Sequence, residues 1–364
     1  MQSYLQDKLD FTAIERILVI KLQHLGDVLL TSPVYSTLKD KFPHLTIDVL
    51  VYKGTEMMLS NNPFINQQYL IDRTWKTSGL GKLIASELAL VNELKKNKYN
   101  LIINYTDRWR GASLVRLLKP QYSVSQRYSH RHGKFWRKSF SHLYSAPETP
   151  RHAVEIHLDA LRRMGIYPAG NEKKLSFYPL ESALIKIDSL LLKSGLTRKN
   201  FIAIHPVSRW MFKAWNPAGF SQVIKQLNAA GYEVIIVSGP DKSEMDYVQQ
   251  ILSIEPVRAV NLAGQLTMQE LAVLIENASC FIGLDSVAMH LSAAMDTPCV
   301  ALFGPSKNLV WGPWMVKHHI ITESYSCRPC DKKGCGEGMV SECIQVIKPS
   351  TVIDAVNDLL KNPT

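Results

Sequence analysis

Long apolar runs are missing from this sequence of 364 residues. No stretch reaches the roughly 18 uninterrupted apolar residues that a transmembrane helix needs, so none is expected. The first twenty residues lack a basic segment followed by an apolar stretch and a small-residue cleavage site, so a secretory signal is not expected either. Charge is also sparse: 20% of the residues are charged and 46% are hydrophobic, which excludes a disordered chain. The length predicts two domains.

The chain also lacks the G-x-G-x-x-G fingerprint of a dinucleotide-binding domain. At the first strand–helix turn, KLQHLGDV, Gly26 is the only glycine, which disfavours a nicotinamide or flavin cofactor; no cofactor is predicted. Short apolar runs instead alternate with helical patterns of 10–15 residues through both halves, which is typical of doubly wound parallel sheets of the α/β class. Predicted strands cover 17–20, 45–51, 101–104, 201–204, 233–237, 280–283 and 299–302, and one helix is predicted from Asp27 to Lys41.

Positive charge is present in excess, and it is unevenly distributed. The formal net charge is +10, and residues 1–170 carry 24 basic against 14 acidic residues, so the remainder is neutral. Between Lys95 and Tyr144, twelve basic residues meet one acid, Asp107. Trp109, Phe135 and Trp136 interleave with these cations, which suits single-stranded nucleic acid or an anionic membrane surface; a solvated charged face is the alternative. The candidate anion-binding residues are Arg108, Arg110, Arg127, Arg131, Lys134, Arg137 and Lys138.

Polar side chains follow the first predicted strand of each half, at the sheet edge where such folds bind ligands. Asp27 follows the first strand, where it is either a helix N-cap or a carboxylate that faces a ligand. Ser208 and Lys213 lie in the loop HPVSRWMFKAW after the strand at 201–204. A hydroxyl and cations in such a loop suit phosphate binding, and a solvated surface loop is the alternative.

A third polar group stands in the motif GLDSVAMH, where a predicted strand leads directly into a helix of small residues. The backbone N–H groups and the dipole of that helix start favour a phosphate, while Asp285 suits sugar hydroxyls. Ser286 and His290 complete the group. The alternative is a helix-capping motif with a structurally satisfied histidine.

Four cysteines cluster near the end of the chain with the spacing C-x2-C-x4-C-x7-C: Cys327, Cys330, Cys335 and Cys343. This spacing is compatible with a structural metal, with two disulfides or with a reduced loop, and the sequence does not choose among them.

Taken together, these motifs resemble those of the ADP-heptose:lipopolysaccharide heptosyltransferases of glycosyltransferase family 9, and among them the type that adds heptose III. The resemblance runs from Ile17 to Leu360 and rests on KLQHLGDVLLTSPV, HPVSRWMFKAW, NLAGQLTMQELAVLI, GLDSVAMHLSAAMDTPCVALFGPS and the cysteine loop. It implies the GT-B fold, in which two Rossmann-like domains face a cleft. It also implies an acceptor domain at 1–175, a donor domain at 176–348 and a helix at 349–364 that crosses back to the first domain.

The same resemblance implies an inverting transfer of L-glycero-D-manno-heptose from ADP-heptose to a heptose of the lipopolysaccharide inner core, without an essential metal. Asp27 matches the catalytic aspartate, and Ser208, Lys213, Asp285, Ser286 and His290 match donor-binding positions, with Glu244 near the adenosine. The acceptor is an anionic glycolipid, so the basic stretch is interpreted as a surface for the acceptor and for the cytoplasmic face of the inner membrane. A heptosyltransferase of type I or II, or another GT-B enzyme that uses a nucleotide sugar, is the alternative. A nucleic-acid partner is not expected.

Overall fold

The computed structural model describes residues 9–131 and 133–361. Its contacts divide the chain into a first unit that ends at Ser176 and a second that begins at Phe177. Each unit is built around one parallel sheet of six strands, as the alternation of apolar runs and helices predicts. The helices connect successive strands, because parallel neighbours need a crossover of a dozen or more residues.

In the first unit the strand order is β3-β2-β1-β4-β5-β6, so β1 lies in the interior of the sheet between β2 and β4. The strands are β1 Arg16–Lys21, β2 Thr46–Tyr52, β3 Gln67–Ile71, β4 Leu101–Asn104, β5 Tyr122–Arg127 and β6 His142–Ser145. The helices are α1 Leu25–Leu29, α2 Ser32–Lys41, α3 Leu80–Lys96, α4 Trp109–Leu118, α5 Lys134–Arg137 and α6 Ala153–Arg163.

In the second unit the order is β12-β11-β10-β7-β8-β9, with β10 and β7 at the centre. The strands are β7 Phe201–His205, β8 Glu233–Ile236, β9 Val260–Asn261, β10 Cys280–Leu284, β11 Cys299–Leu302 and β12 His318–Ile321. The helices are α7 Glu181–Lys193, α8 Pro217–Ala229, α9 Lys242–Ile254, α10 Met268–Asn277, α11 Val287–Ala294, α12 Asn308–Trp311, α13 Glu342–Gln345 and α14 Pro349–Lys361.

The predicted helix from Asp27 to Lys41 is wrong in one respect, because the structure has two helices there. The first, α1, already begins at Leu25 and ends at Leu29, and the second begins at Ser32 with Pro33 in its first turn. Proline is favoured in a first turn, where its missing N–H costs nothing, and it is disfavoured in a helix interior. The break therefore falls just before Pro33 and leaves a short, separate helix to carry Asp27.

The last helix, α14, packs against α8 and β11 of the second unit. Its Val352, Val356 and Leu359 are buried in the same core cluster as the β7 and β10 side chains, and fully burying one such side chain stabilises the fold by about 1.5–3 kcal/mol. The predicted domain limits, and the return of residues 349–364 to the first unit, stay predictions.

Within the described residues, no helix is both long and apolar enough to cross a lipid bilayer.

Candidate functional site

In the first unit, the candidate site lies where β1 ends and α1 begins. Asp27 occupies the third position of α1, and its Oδ2 accepts the backbone N–H of His24, the N-cap residue, at 3.4 Å. Asp27 is therefore not the N-cap residue, although its carboxylate forms part of the capping box of α1. Its side chain stays partly open to solvent, so the same carboxylate is available to a ligand.

Lys21, which lies close to Asp27, forms a buried pair with His157. The Nζ of Lys21, the last residue of β1, lies 3.9 Å from Oδ1 of Asp27 and 2.8 Å from Nε2 of His157 on α6. Burial lowers the pKa of the Lys21 ammonium below its ordinary value, and the charges of Asp27 and Asp107 offset part of that effect. Burial also holds the pKa of His157 well below its usual range, with the Lys21 charge acting in the same direction. The Asp27 carboxylate therefore lies close to the amino group of a buried lysine.

In the second unit, the loop after β7 meets the end of β10, because Gly283 of β10 pairs in register with His205 of β7. Lys213 Nζ donates to Oδ2 of Asp285 at 2.6 Å, and Ser208 Oγ donates to the Asp285 carbonyl at 3.4 Å. The sequence motifs that contain these residues are thus brought together as predicted. Ser208 is buried, which excludes the alternative of a solvated loop.

Ser286 is the N-cap of α11, but its hydroxyl does not cap that helix. The Oγ atom is buried and has no hydrogen-bond partner among the described residues. The capping alternative is therefore wrong for this side chain, and the unused hydroxyl stands at the positive end of a helix dipole. His290 lies one turn further along α11 and is buried. A buried hydroxyl without a partner costs free energy unless a ligand supplies one.

Glu244, on the first turn of α9, has its hydrogen bond in a different loop from these residues. Its Oε2 accepts the N–H of Gly239, in the loop after β8, at 2.8 Å. Burial raises the pKa of the Glu244 carboxyl, although this backbone hydrogen bond works in the opposite direction. A side chain at position 239 would bring a Cβ atom to 2.8 Å from that oxygen, so glycine is needed for the contact. Because β8 neighbours β7, Glu244 lies at the same sheet edge as Ser208.

The basic stretch of the first unit divides into exposed and partnered cations. Arg110 forms an ion pair with Glu87 of α3, and Arg131 donates to the carbonyl of Asp107 at 2.8 Å. The guanidinium groups of these two arginines are therefore already engaged in contacts within the protein. The remaining predicted cations are exposed: Arg108, Arg127, Lys134, Arg137 and Lys138. Of these, Arg108 also has its Nε 3.8 Å from Oδ1 of Asp107.

The aromatics of this stretch divide in the same way. Trp136 is fully buried and packs against Tyr128 and Phe140, so it is not available to a nucleic acid or a membrane surface. Trp109 and Phe135 are exposed, and their rings are 5.7 Å apart.

The four cysteines of the C-terminal loop are free thiols. Within residues 9–131 and 133–361, no three His, Cys, Asp or Glu side chains form a set that could hold a metal ion. Cys343 is buried, whereas Cys327 is exposed. The N–H of Cys330 donates to the carbonyl of Pro305 at 3.1 Å, so the loop is fastened to the segment after β11.

Comparison with known proteins identifies the family. Residues 87–341 match the family model of glycosyltransferase family 9 (heptosyltransferase). The chain is also 39% identical over 346 residues to lipopolysaccharide heptosyltransferase 3 of Escherichia coli, covering 93% of this chain and 97% of that protein. The chain belongs to glycosyltransferase family 9. This confirms the family that the sequence motifs predict.

Solved structures of family 9 proteins confirm the fold. A glycosyltransferase family 9 protein from Veillonella parvula superposes with a TM-score of 0.81 at 23% identity, covering 95% of this chain and 97% of that one. The Escherichia coli heptosyltransferase WaaC with ADP superposes with a TM-score of 0.73 at 16% identity, covering 94% and 99% of the two chains. The predicted α/β architecture of GT-B type, with two doubly wound parallel sheets, is confirmed.

The family motifs did not point to every residue of these sites. Sequence reasoning missed Lys21 and His157, although a lysine that ends an apolar strand and a histidine on the apolar face of a helix were available signals. Only the folded chain shows which of these polar groups meet.

Proposed function

We propose that this protein transfers L-glycero-D-manno-heptose from ADP-heptose to a heptose of the lipopolysaccharide inner core, as the heptose III branch on heptose II, with inversion at the anomeric carbon. The observation that carries the proposal is the similarity to lipopolysaccharide heptosyltransferase 3 along nearly the whole chain. The donor motif residues support it, because Ser208, Lys213, Asp285 and Ser286 gather at one sheet edge of the second unit.

In the proposed reaction, Asp27 is the general base. It takes the proton of the acceptor hydroxyl while the hydroxyl oxygen bonds to the anomeric carbon, and the bond from that carbon to the diphosphate oxygen breaks. A carboxylate suits this role because it can accept a proton, and Asp27 is the more exposed partner of its pair with Lys21. Inverting sugar transfer needs one such base and a stabilised leaving group.

The leaving ADP is stabilised by the second unit in this proposal. Lys213 presents an ammonium close to the start of α11, where the helix dipole also favours negative charge. The diphosphate then shares Lys213 with Asp285. Ser208 and Ser286 supply hydroxyl donors, and Glu244 and His290 are proposed as further donor-binding residues.

A transfer assay tests the proposal. Purified protein is incubated with ADP-heptose and a series of truncated core lipopolysaccharides, and the products are read by mass and by linkage analysis. We expect one added heptose of inverted anomeric configuration on the second heptose of the acceptor. Addition to Kdo or to the first heptose would support the alternative of a type I or type II enzyme. Turnover of a different nucleotide sugar alone would support another GT-B transferase.

We further propose that the first unit binds its anionic glycolipid acceptor at the cytoplasmic face of the inner membrane. The exposed cations of the basic stretch supply charge complementarity to phosphates and lipid head groups. Exposed apolar side chains accompany them: Trp109, Phe135 and, on the first half of α3, Leu80, Ile84 and Leu88. The ion pair of Glu87 with Arg110 joins α3 to the start of α4. Cations beside exposed apolar side chains are typical of an interfacial surface.

Vesicle co-sedimentation tests the membrane proposal. The double variant Arg137→Glu/Lys138→Glu is expected to bind anionic vesicles of phosphatidylglycerol and phosphatidylethanolamine more weakly, because each basic residue near such a surface contributes about 1 kcal/mol. The matched control is Lys193→Glu/Lys242→Glu, which reverses two exposed lysines of the second unit. Equal loss in both variants, or no loss at low salt, would contradict the proposal.

A further inference from the structure

Lys21 is a lysine in an unusual place. It ends β1, in the interior of the sheet, and its side chain is only 4% exposed. A buried ammonium is costly unless it is hydrogen-bonded and paired with a negative charge. The groups that meet these needs are His157 at 2.8 Å and Asp27 at 3.9 Å. Asp27 is the carboxylate to which the proposed function assigns the proton transfer.

The hydrogen bonds of His157 fix the direction of its contact with Lys21. Nδ1 of His157 lies 3.0 Å from the carbonyl oxygen of Leu30, which can only accept, so Nδ1 carries the hydrogen. Since burial keeps the ring neutral, Nε2 has a free lone pair and accepts a hydrogen bond from Lys21. The hydroxyl of Tyr105 donates to the His157 carbonyl at 2.7 Å, and its ring packs at 5.0 Å from the imidazole. The acceptor for Lys21 is thus held rigidly.

The distances around Lys21 leave the Asp27 carboxylate able to accept a proton. An ammonium has three N–H donors, and the contact with His157 uses one of them. At 3.9 Å from Oδ1, the ammonium attracts Asp27 electrostatically without a short hydrogen bond that would occupy the carboxylate oxygen. The charged groups that act on the pair are Asp27 on α1, Asp107 after β4, and His152, which acts on His157 from the start of the same helix.

We propose that Lys21, held by His157, is a positioning residue that orients the Asp27 carboxylate as the general base. The inference rests on the proposed function, since it concerns the base of that reaction. Lys21 touches neither substrate in this proposal; it acts through Asp27. His157 acts one step further back, as the neutral acceptor that fixes the ammonium.

The test compares kcat with KM for ADP-heptose. Lys21→Met removes the ammonium that orients Asp27, so kcat is expected to fall by a part of the roughly 10²–10⁴-fold that a carboxylate base contributes. KM for ADP-heptose should stay unchanged, because the donor groups lie in the second unit. An unchanged kcat in a folded Lys21→Met protein, or a fall in kcat that is matched by a rise in KM, would overturn the inference.

Variants of His157 provide an independent arm in case Lys21→Met does not fold. His157→Leu removes the acceptor of Lys21 and should also lower kcat at unchanged KM, whereas His157→Gln retains a side-chain oxygen and should lower kcat less. Equal losses of kcat, or none, in these two variants would contradict the role of His157. The matched control is Lys39→Met, which removes a lysine of the same unit whose Nζ donates to the carbonyls of Pro43 and Leu45. Its kcat should not change.

An Asp27→Asn arm separates the inference from the proposed function. Full activity in Asp27→Asn would remove the base assignment, and the role of Lys21 with it. An inactive Asp27→Asn together with an unchanged kcat in Lys21→Met would leave the proposed function standing and overturn the positioning role alone.

Discussion

Each unit places one lysine–aspartate pair at the sheet edge used for its site, and the two pairs are built in opposite ways. In the first unit Lys21 is 4% exposed and Asp27 19%, with 3.9 Å between their charged atoms. In the second, Lys213 is 20% exposed and Asp285 10%, at 2.6 Å. The more exposed partner is the carboxylate in one pair and the ammonium in the other.

The difference fits the roles that we propose for the two pairs. A general base must offer a carboxylate, and in the first pair the lysine is the buried partner. A site for a leaving diphosphate must offer a cation, and in the second pair the aspartate is the more buried partner. The units use the same two residue types on similar parallel sheets, and burial decides which partner is the more exposed. Four predictions test this comparison.

The largest effect is expected for Asp27→Asn. A carboxylate base contributes roughly 10²–10⁴-fold to the rate, so kcat should fall by about that factor. Binding of ADP to the second unit should be unchanged in a calorimetric titration. The matched control is Asp40→Asn, which alters an exposed carboxylate of α2 in the same unit. Normal turnover by Asp27→Asn would show that the exposed carboxylate of the first pair is not the working group.

Lys213→Met should have the next largest effect, in the other pair. Removing a group that stabilises developing negative charge costs roughly 10²–10³-fold in the rate, and kcat/KM for ADP-heptose should fall by about that factor. Unlike Asp27→Asn, this variant should also weaken ADP binding.

The control for Lys213 is Lys225→Met in the same unit. Lys225 pairs with Glu255 at 2.5 Å, but its side chain is 60% exposed, and such surface pairs contribute little. If Lys225→Met and Lys213→Met lowered kcat/KM equally, the loss would not come from a placed cation at the donor site.

Much of this comparison was predictable from the sequence, because strand ends and glycine-containing turns are local signals. The apolar runs predict β1, β7 and β10, and their parallel packing brings Ser208, Lys213 and Asp285 to one edge. The break before Pro33 was missed, although Pro33 itself was visible, because the helical pattern continues on both sides of it.

Burial of single polar side chains was not predictable in the same way. Nothing local distinguishes buried Trp136 from exposed Phe135 in Lys-Phe-Trp-Arg, since the packing of α5 on the core decides it. The contact of Lys21 with His157 joins residues 136 positions apart. A single sequence carries no record of such a pairing. The support of the first site, Lys21 with His157, therefore needed the fold, whereas Asp27, Lys213 and Asp285 were predictable.

The next effect is expected on the pH dependence of stability. It comes from His205, a buried histidine at the end of β7 in the second unit. Burial lowers the pKa of His205 from 6.5 to about 4. Below pH 6.5 the unfolded chain takes up a proton that the folded chain does not, so stability falls toward pH 4 by about 1.4 kcal/mol per pH unit. Between pH 6.5 and 5, His205 should lower the free energy of unfolding by about 2 kcal/mol.

Urea unfolding of wild type and His205→Asn at both pH values measures this contribution. Asparagine can retain the hydrogen bond that Nδ1 of His205 donates to the Val207 carbonyl, and it does not titrate. The variant should therefore lose less stability than wild type when the pH is lowered. His157 in the first unit acts in the same direction and is present in both proteins, so its contribution cancels. Identical pH slopes would contradict a neutral, buried His205.

The smallest effect is expected for Ser286→Ala, beside the second pair. The Ser286 hydroxyl is buried without a partner among the described residues, so its removal should leave the stability of the ligand-free protein unchanged or raised. If the diphosphate of ADP supplies the missing partner, the variant loses one hydrogen bond to a charged group, and ADP affinity falls roughly 10-fold. Ser292→Ala is the matched control on the same helix, because its hydroxyl already donates to the carbonyl of Met289 at 2.8 Å. Ser292→Ala should lower the melting temperature and leave ADP affinity unchanged. The reverse pattern in the two variants would mean that the Ser286 hydroxyl supports the fold and is not a group held ready for the diphosphate.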